Sequence, residues 1–193
     1  MERTTRTPSS QIGPDVLRAA VAILDEEGPD GFTVRAISQR AGVAPMAIYN
    51  HFQGVKGVLE ALWIDGFDTL RQSITFESAS AEDDLVRAGR GYRTFALKNQ
   101  GLYTVMFMHR FRNFEPSREA SQVAAQAYET LVVNVERCQT LGLFDRWKAR
   151  DAAQVIWSAC HGYVSLELLG INFAADRDAT FELLLETLQY GLR

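Results

Sequence analysis

Residues 41–52, AGVAPMAIYNHF, place a phenol, an amide and an imidazole at three consecutive positions, Tyr49, Asn50 and His51. A phenol and an imidazole can donate hydrogen bonds to phosphate oxygens, and an amide can pair with a base edge in the major groove of DNA. The same groups could equally serve catalysis or bind a metal from a turn. The segment is therefore either a reactive turn or a short helix presented to a partner.

Two short helices joined by a glycine turn are the interpretation that the surrounding residues favour. Thr33 is a good N-cap, because its hydroxyl can accept hydrogen bonds from the unpaired N–H groups of a first helical turn. Gly42 can adopt the left-handed conformation that ends a helix, and Pro45 fits the first turn of the next one. Ile48 and Phe52 lie four residues apart and are expected to face the core. The pattern predicts a helix-turn-helix.

The outward surface of the second helix is then left with Met46, Ala47, Tyr49, Asn50 and His51. A helix of about two turns that buries so few side chains is expected to present the others to a partner. Helix N-termini directed at a phosphate backbone add a preference for anions. DNA is the expected partner of this surface.

The other residues that could support catalysis or bind a metal are too scattered to form a recognisable motif. The histidines, His51, His109 and His161, are far apart and lack metal-type spacing to cysteines or carboxylates. Cys138 and Cys160 lie in apolar helical patterns and are expected to be reduced, buried side chains. The chain shows no Gly-rich phosphate loop and no nucleophile elbow. We therefore expect no enzyme activity and no bound metal or cofactor.

Helical periodicity extends over nearly all of the 193 residues and predicts an all-α fold of about nine helices. Helices are short before Gly54 and long and apolar after it. We therefore expect an N-terminal module of residues 1–54, with a flexible arm over about residues 1–10, and a larger helical body of residues 55–193. No apolar run is long enough to span a membrane and the N-terminus lacks a secretory signal, so a cytoplasmic protein without a membrane partner is expected.

Two further signals predict helix ends. Ser80, three residues before Asp83, predicts a capping box at the start of a helix. Gly142 is expected to end a helix whose apolar stripe comprises Ala124, Tyr128, Leu131, Val135, Cys138 and Leu141.

Residues 32–52, FTVRAISQRAGVAPMAIYNHF, resemble the helix-turn-helix of the TetR family of bacterial transcriptional regulators. The matching elements are the Phe-Thr entry, the Ala-Gly-Val turn and the closing Tyr-x-His-Phe, and the likeness extends over about residues 10–70. The resemblance implies an all-α homodimer whose N-terminal DNA-binding domains, residues 1–54, bind a palindromic operator in double-stranded DNA. It also implies that residues 55–193 dimerise and bind a small-molecule effector, which releases the DNA.

The resemblance also assigns DNA contacts to individual residues. It implies phosphate contacts from Thr33, Tyr49 and His51, and it places Met46, Ala47 and Asn50 nearest the bases. The expected DNA-binding set is completed by Arg35, Pro45 and Lys56. The chain departs from the family at Ala44, where a capping Ser or Thr is frequent, and at Val55, where a Lys commonly begins the fourth helix.

The N-terminal module is not basic. Residues 1–60 carry six Lys or Arg and seven Asp or Glu, and the whole chain has a net charge of −4. Arg3 and Arg6 lie on the expected arm, from which they could enter an adjacent minor groove. With so few cations, we expect weak non-specific DNA binding, a shallow salt dependence per half-site and reliance on the dimer.

Residues 156–170, IWSACHGYVSLELLG, contain Trp157 followed by His161 and Gly162, and this pattern resembles the effector-domain signature of WHG-type TetR regulators. The resemblance implies that the last two helices pair with their copies in a four-helix dimer interface. The apolar face of the final helix comprises Phe181, Leu184, Leu185 and Leu188. Periodicity alone leaves open whether this face packs only within the monomer.

Small-molecule sites between helices are usually lined by aromatic and apolar side chains with a few polar groups. The candidates here are Tyr92, Phe95, Tyr103, Met106, Phe107, Phe111, Trp157 and His161. Taken singly, each is more often a plain core residue, since aromatic side chains at helical spacing usually just pack. For His161 a hydrogen-bonded core role ranks first, ligand contact second and pH sensing third. The effector is expected to be apolar or compatible with aromatic walls.

The sequence therefore predicts a TetR-like homodimeric regulator, with repression as its expected action. The half-sites of its operator should lie about one helical turn, roughly 34 Å, apart or a multiple of that distance. The alternative is a helical ligand-binding or protein-partner module whose helix-turn-helix no longer reads DNA. Two observations favour this alternative: the missing cap at Ala44 and the excess of acidic over basic residues in the N-terminal module.

Overall fold

A computed structural model of the chain describes residues 9–192. Over that range it contains nine α-helices and no β-strand, which confirms the all-α prediction. The helices are α1 (Ser9–Glu26), α2 (Val34–Ala41), α3 (Pro45–Phe52), α4 (Val55–Ile74), α5 (Ala81–Lys98), α6 (Gln100–Tyr103), α7 (Arg118–Gln139), α8 (Ala149–Leu168) and α9 (Arg177–Gly191). A 3₁₀ turn, Pro29–Gly31, follows α1, and a π-helical turn, Thr104–Met108, continues α6.

The helices form two compact units. Unit 1 comprises the described residues up to Gly66 together with Gln100–Ser121, and unit 2 comprises Phe67–Asn99 and the residues from Gln122 onward. The predicted division into residues 1–54 and 55–193 stays a prediction.

The core of unit 1 forms where α1 packs on α2, α3 and α6. Val16 and Ile23 of α1, Ile37 of α2 and Ile48 of α3 are all buried, as helical spacing requires of one face of each helix. The side-chain Oδ1 of Asp25 accepts a hydrogen bond of 2.7 Å from the backbone N–H of Gly101, which satisfies a free donor in the first turn of α6.

In unit 2, α8 packs on α5 and α9. A mostly buried ion pair joins Arg93 of α5 to Glu167 of α8, with 2.8 Å between the guanidinium and the carboxylate. Arg93 also pairs with Asp178 of α9 at 2.7 Å, and its hydrogen bonds to Glu167 raise the pKa of the guanidinium further. The two sulfhydryl groups of Cys138 and Cys160 are free and buried, as the sequence predicts.

The helix ends depart from the predictions in two places. Ser80 does cap α5, because its hydroxyl accepts from the N–H of Asp83 at 3.2 Å. In a capping box, the side chain of Asp83 would accept a hydrogen bond from the N–H of Ser80. Here the N–H of Ser80 donates to the hydroxyl of Ser78 instead. Gly142 does end α7 as predicted, because it is left-handed with φ of 76° and its N–H donates to the carbonyl of Gln139 at 3.0 Å. The prediction that Leu141 belongs to the apolar stripe of this helix is wrong: α7 ends at Gln139, and Leu141 is 63% exposed.

Two other predictions concern the N-terminal module. Phe52 is only half-buried, so the prediction that it faces the core is only partly right. The arm with Arg3 and Arg6 lies outside the described residues, and Ser10, which was included in the arm, belongs to α1.

Candidate functional site

The first helix of the helix-turn-helix, α2, begins and ends where the sequence predicts. The hydroxyl Oγ1 of Thr33 accepts a hydrogen bond of 3.1 Å from the N–H of Ala36, so Thr33 is the N-cap. Gly42 ends the helix in the left-handed region, with φ at 66°. A side chain at that φ would be strained, which explains the glycine.

Helix α3 begins at Pro45 and receives no hydrogen bond from the side chain of Ala44. It ends at Phe52, and the next residue, Gln53, adopts φ of 60° while its N–H donates to the carbonyl of Tyr49 at 2.9 Å. Both Gln53 and the glycine that follows it, Gly54, therefore have positive φ. Glycine-based rules for helix ends could not have identified this position.

The outward surface of α3 matches the prediction. Ile48 is fully buried and anchors the helix, whereas Met46 is 64% and Tyr49 51% exposed. Asn50 and His51 are exposed, and Ala47 is half-buried. A phenol, an amide and an imidazole therefore share an open surface with a thioether, as groups that contact DNA must.

The remaining candidate DNA-binding residues, Thr33, Arg35, Pro45 and Lys56, are all exposed. Arg35 and Lys56 form no ion pair with any residue in the described range. Arg40, which lies on the same helix as Arg35, instead donates two hydrogen bonds to the carboxylate of Glu26 and lowers the pKa of that carboxyl. The positive charge available on the helix-turn-helix is therefore small, as the composition suggests.

Residues 109–117, which we call the basic loop, pack within unit 1 and were not predicted to lie beside the helix-turn-helix. The ring of Phe111 lies 5.6 Å from that of Phe32, the residue that precedes the α2 cap, and 4.6 Å from that of His109. Phe111 was predicted to bind the effector, and that role stays a prediction. In the sequence, the two closely spaced phenylalanines of FRNF, residues 111–114, could have indicated that this loop packs against the protein.

Four of the candidate effector-binding residues lie in unit 2. The hydroxyl of Tyr92 and Nδ1 of His161 are 2.8 Å apart, and Phe95 is buried. The ring of Trp157 lies 5.9 Å from that of His161 and 5.8 Å from that of Tyr128. Burial lowers the pKa of His161. Tyr128 extends this aromatic row and was missed, because its spacing identified it only as part of the α7 stripe.

The other four candidates, Tyr103, Met106, Phe107 and Phe111, lie in unit 1. Tyr103 is fully buried against Phe107, with ring centroids 4.9 Å apart. Met106 is buried beside Gly66, where a Cβ would come within 2.6 Å of the Met106 sulfur. The structure therefore places the candidate set in two groups, one in each unit.

No three His, Cys, Asp or Glu side chains in residues 9–192 are arranged so that they could hold a metal ion. Within the same residues, no helix has both the length and the apolar character needed to cross a bilayer.

Two protein-family models match the chain. Residues 16–62 match the model for bacterial regulatory proteins of the tetR family, and residues 85–188 match the tetracyclin repressor-like C-terminal domain. The second match covers more than half of the chain.

Relatives that match over most of the chain show the same likeness. The chain is 29% identical to the HTH-type transcriptional regulator Rv0681 of Mycobacterium tuberculosis, covering 93% of this chain and 80% of that protein. It is 28% identical to the class A tetracycline repressor protein from transposon 1721 of Escherichia coli, covering 86% and 72%. The TetR-family regulator PfmR of Thermus thermophilus shares the fold, with a TM-score of 0.72 at 16% identity and coverage of 92% and 98%.

Proposed function

The chain belongs to the TetR family of DNA-binding transcriptional regulators, which are not enzymes, and from this premise we propose that it represses transcription by binding a palindromic operator as a homodimer. We further propose that residues 1–54 bind the DNA and that a small-molecule effector bound by residues 55–193 releases it. Its place of action would be the cytoplasm, where the DNA is.

The observation that carries the proposal is the outward surface of α3. Tyr49 and His51 are exposed donors suited to phosphates, and Asn50 is an exposed amide suited to a base edge. The burial of Ile48 holds the helix in place while leaving these groups free to contact DNA. Thr33, Arg35, Pro45, Met46, Ala47 and Lys56 complete the proposed contact set.

The proposed dimer surface lies on α8 and α9. Val155 and Leu166 of α8 and Leu169, which directly follows that helix, are 46–58% exposed, and Leu183 of α9 is 60% exposed. Gly162 lies between them on α8, and a Cβ there would meet no atom within 4 Å. Exposed large apolar side chains on two neighbouring helices are typical of an interface, and a second copy can cover them symmetrically.

The proposed effector region of unit 2 is the row Tyr128, Trp157, His161 and Tyr92. Its walls are aromatic, and the Tyr92–His161 hydrogen bond supplies polar groups at one end. Such a lining suits a small, largely apolar or aromatic effector. The tetracycline repressor among the relatives is named for a repressing role, which supports repression here.

A binding assay separates this proposal from a helical module that no longer reads DNA. The full chain is tested by mobility shift on the intergenic DNA beside its own gene, together with the Tyr49→Phe/His51→Ala variant. We expect a shift with the wild type that is lost with the variant. Unchanged DNA binding in the variant would contradict the proposed role of α3.

A further inference from the structure

The basic loop is held against the elements that carry the candidate DNA-binding residues. Phe111 packs on Phe32, as described above, and the ring of Phe114 lies 6.2 Å from that of Trp63 on α4. The backbone N–H of Ser117 lies 3.3 Å from each carboxylate oxygen of Glu60, also on α4. Three separate contacts therefore fix the loop on unit 1.

Within the loop, residues 111–114 form a tight turn. The N–H of Phe114 donates to the carbonyl of Phe111 at 3.1 Å. The two phenylalanines face the protein, whereas Arg110 and Arg112 are exposed. The segment 110–114 thus turns its two phenylalanines toward the protein and leaves both arginines exposed.

These two arginines differ from most others in the described range. Eight arginines there form ion pairs with carboxylates, and neither Arg110 nor Arg112 is among them. The carboxylate of Glu60 accepts a hydrogen bond from the backbone N–H of Ser117. Within residues 9–192, no ion pair therefore neutralises either loop arginine.

The position of the loop relates it to the proposed DNA surface. Arg110 lines the same open cleft as Lys56, in the first turn of α4. Glu60 and Glu115 also line this cleft, and Glu115 forms no ion pair with a described residue. Lys56 is a proposed phosphate contact, so Arg110 lies beside the surface that is proposed to face DNA.

We propose that Arg110 and Arg112 bind backbone phosphates of the operator, outside the contacts made by α3. The proposal rests on the proposed function, and it addresses the scarcity of cations on the helix-turn-helix. Residues 9–66 contain two Lys or Arg without an ion pair, Arg35 and Lys56. The loop arginines double that number.

The salt dependence of DNA binding measures such contacts directly, because each neutralised phosphate contributes about 0.9 to the slope of log affinity against log salt. The probe is a fluorescein-labelled 30-base-pair duplex enriched from a random pool by the wild-type full chain. Anisotropy is measured between about 50 and 200 mM KCl, the range over which slopes of this kind are resolved.

Arg110→Ala/Arg112→Ala is expected to lower the slope by about 1.8 per protomer. It should weaken binding by a similar factor on a scrambled duplex, since phosphate contacts carry no sequence information. Arg110→Lys/Arg112→Lys should keep the slope, and Glu115→Gln should strengthen binding. Arg146→Ala, an exposed and unpaired arginine of unit 2, is the matched control and should change nothing.

Equal slopes for the loop variant, the wild type and Arg146→Ala would overturn the inference. The proposed function would still stand if Tyr49→Phe/His51→Ala then weakened binding to the same duplex. If the wild type enriches no duplex, both the inference and the proposed function fail. Far-UV circular dichroism of each variant, which reports its helix content, is the control that a changed slope does not come from unfolding.

Discussion

Replacing Ala44 by a capping residue should order the helix that is proposed to read the operator. Ala44 has extended backbone angles, φ −67° and ψ 144°, which are those of an N-cap, but its side chain offers no acceptor. Because Pro45 has no N–H, the donors left in the first turn are those of Met46 and Ala47. The N–H of Ala47 already reaches the carbonyl of Ala44 at 2.8 Å.

A hydroxyl at position 44 could therefore satisfy one further donor. A cap of this kind typically contributes about 1 kcal/mol relative to alanine. If α3 opens by local unfolding, that energy corresponds to about a fivefold increase in protection of its amide protons. Thr33, whose hydroxyl already caps α2 at 3.1 Å, shows that threonine performs this role in the same unit.

The assay is native-state hydrogen exchange of the α3 amides in Ala44→Thr and Ala44→Val. Threonine and valine are nearly isosteric, so their difference isolates the hydroxyl from any effect of β-branching. We expect Ala44→Thr to slow exchange in α3 and Ala44→Val to speed it slightly or leave it unchanged. Equal protection in the two variants would refute the idea that a missing cap limits α3.

Three further predictions follow from unit 2. Glu167→Gln should lower the free energy of unfolding by about 2 kcal/mol in a denaturant titration, because the mostly buried Arg93 then keeps only the exposed Asp178 as an anionic partner. The exposed Asp178→Asn should cost under about 1 kcal/mol, and similar losses in the two variants would contradict the assigned burial. Because burial lowers the pKa of His161 from 6.5, the unfolded chain binds more protons there, and stability should fall as the pH drops below about 6.5. His161→Gln should flatten that part of the pH profile, and an unaltered profile would count against the assignment. Leu166→Glu should shift the chain from dimer to monomer in light scattering, and an intact dimer would exclude this surface.

The parts of the structure that follow local rules could be predicted from the sequence. The cap at Thr33, the stop at Gly42 and the start at Pro45 each depend on a few neighbouring residues, so their types alone indicate the conformation. The exposed set on α3 followed in the same way once Ile48 was placed inward. The all-α fold followed from periodicity along the chain.

Features that depend on distant residues could not be predicted. Phe111 contacts Phe32 across 79 positions, and nothing in the periodicity of either segment indicates that pairing. The end of α7 is another case: Leu141 has the spacing of the stripe, but Phe144 after the turn is buried while Leu141 is exposed. A turn that reverses the chain decides which apolar side chain enters the core, and the helical period does not contain that information.

The central claim is that two copies of the chain place α3 on a palindromic operator. A hydroxyl-radical footprint on the enriched duplex tests it most directly. We predict two equivalent protected patches with centres about one helical turn, roughly 34 Å, or a multiple apart. The patches should disappear with Tyr49→Phe/His51→Ala. A single asymmetric patch, or the same footprint with that variant, would contradict the account.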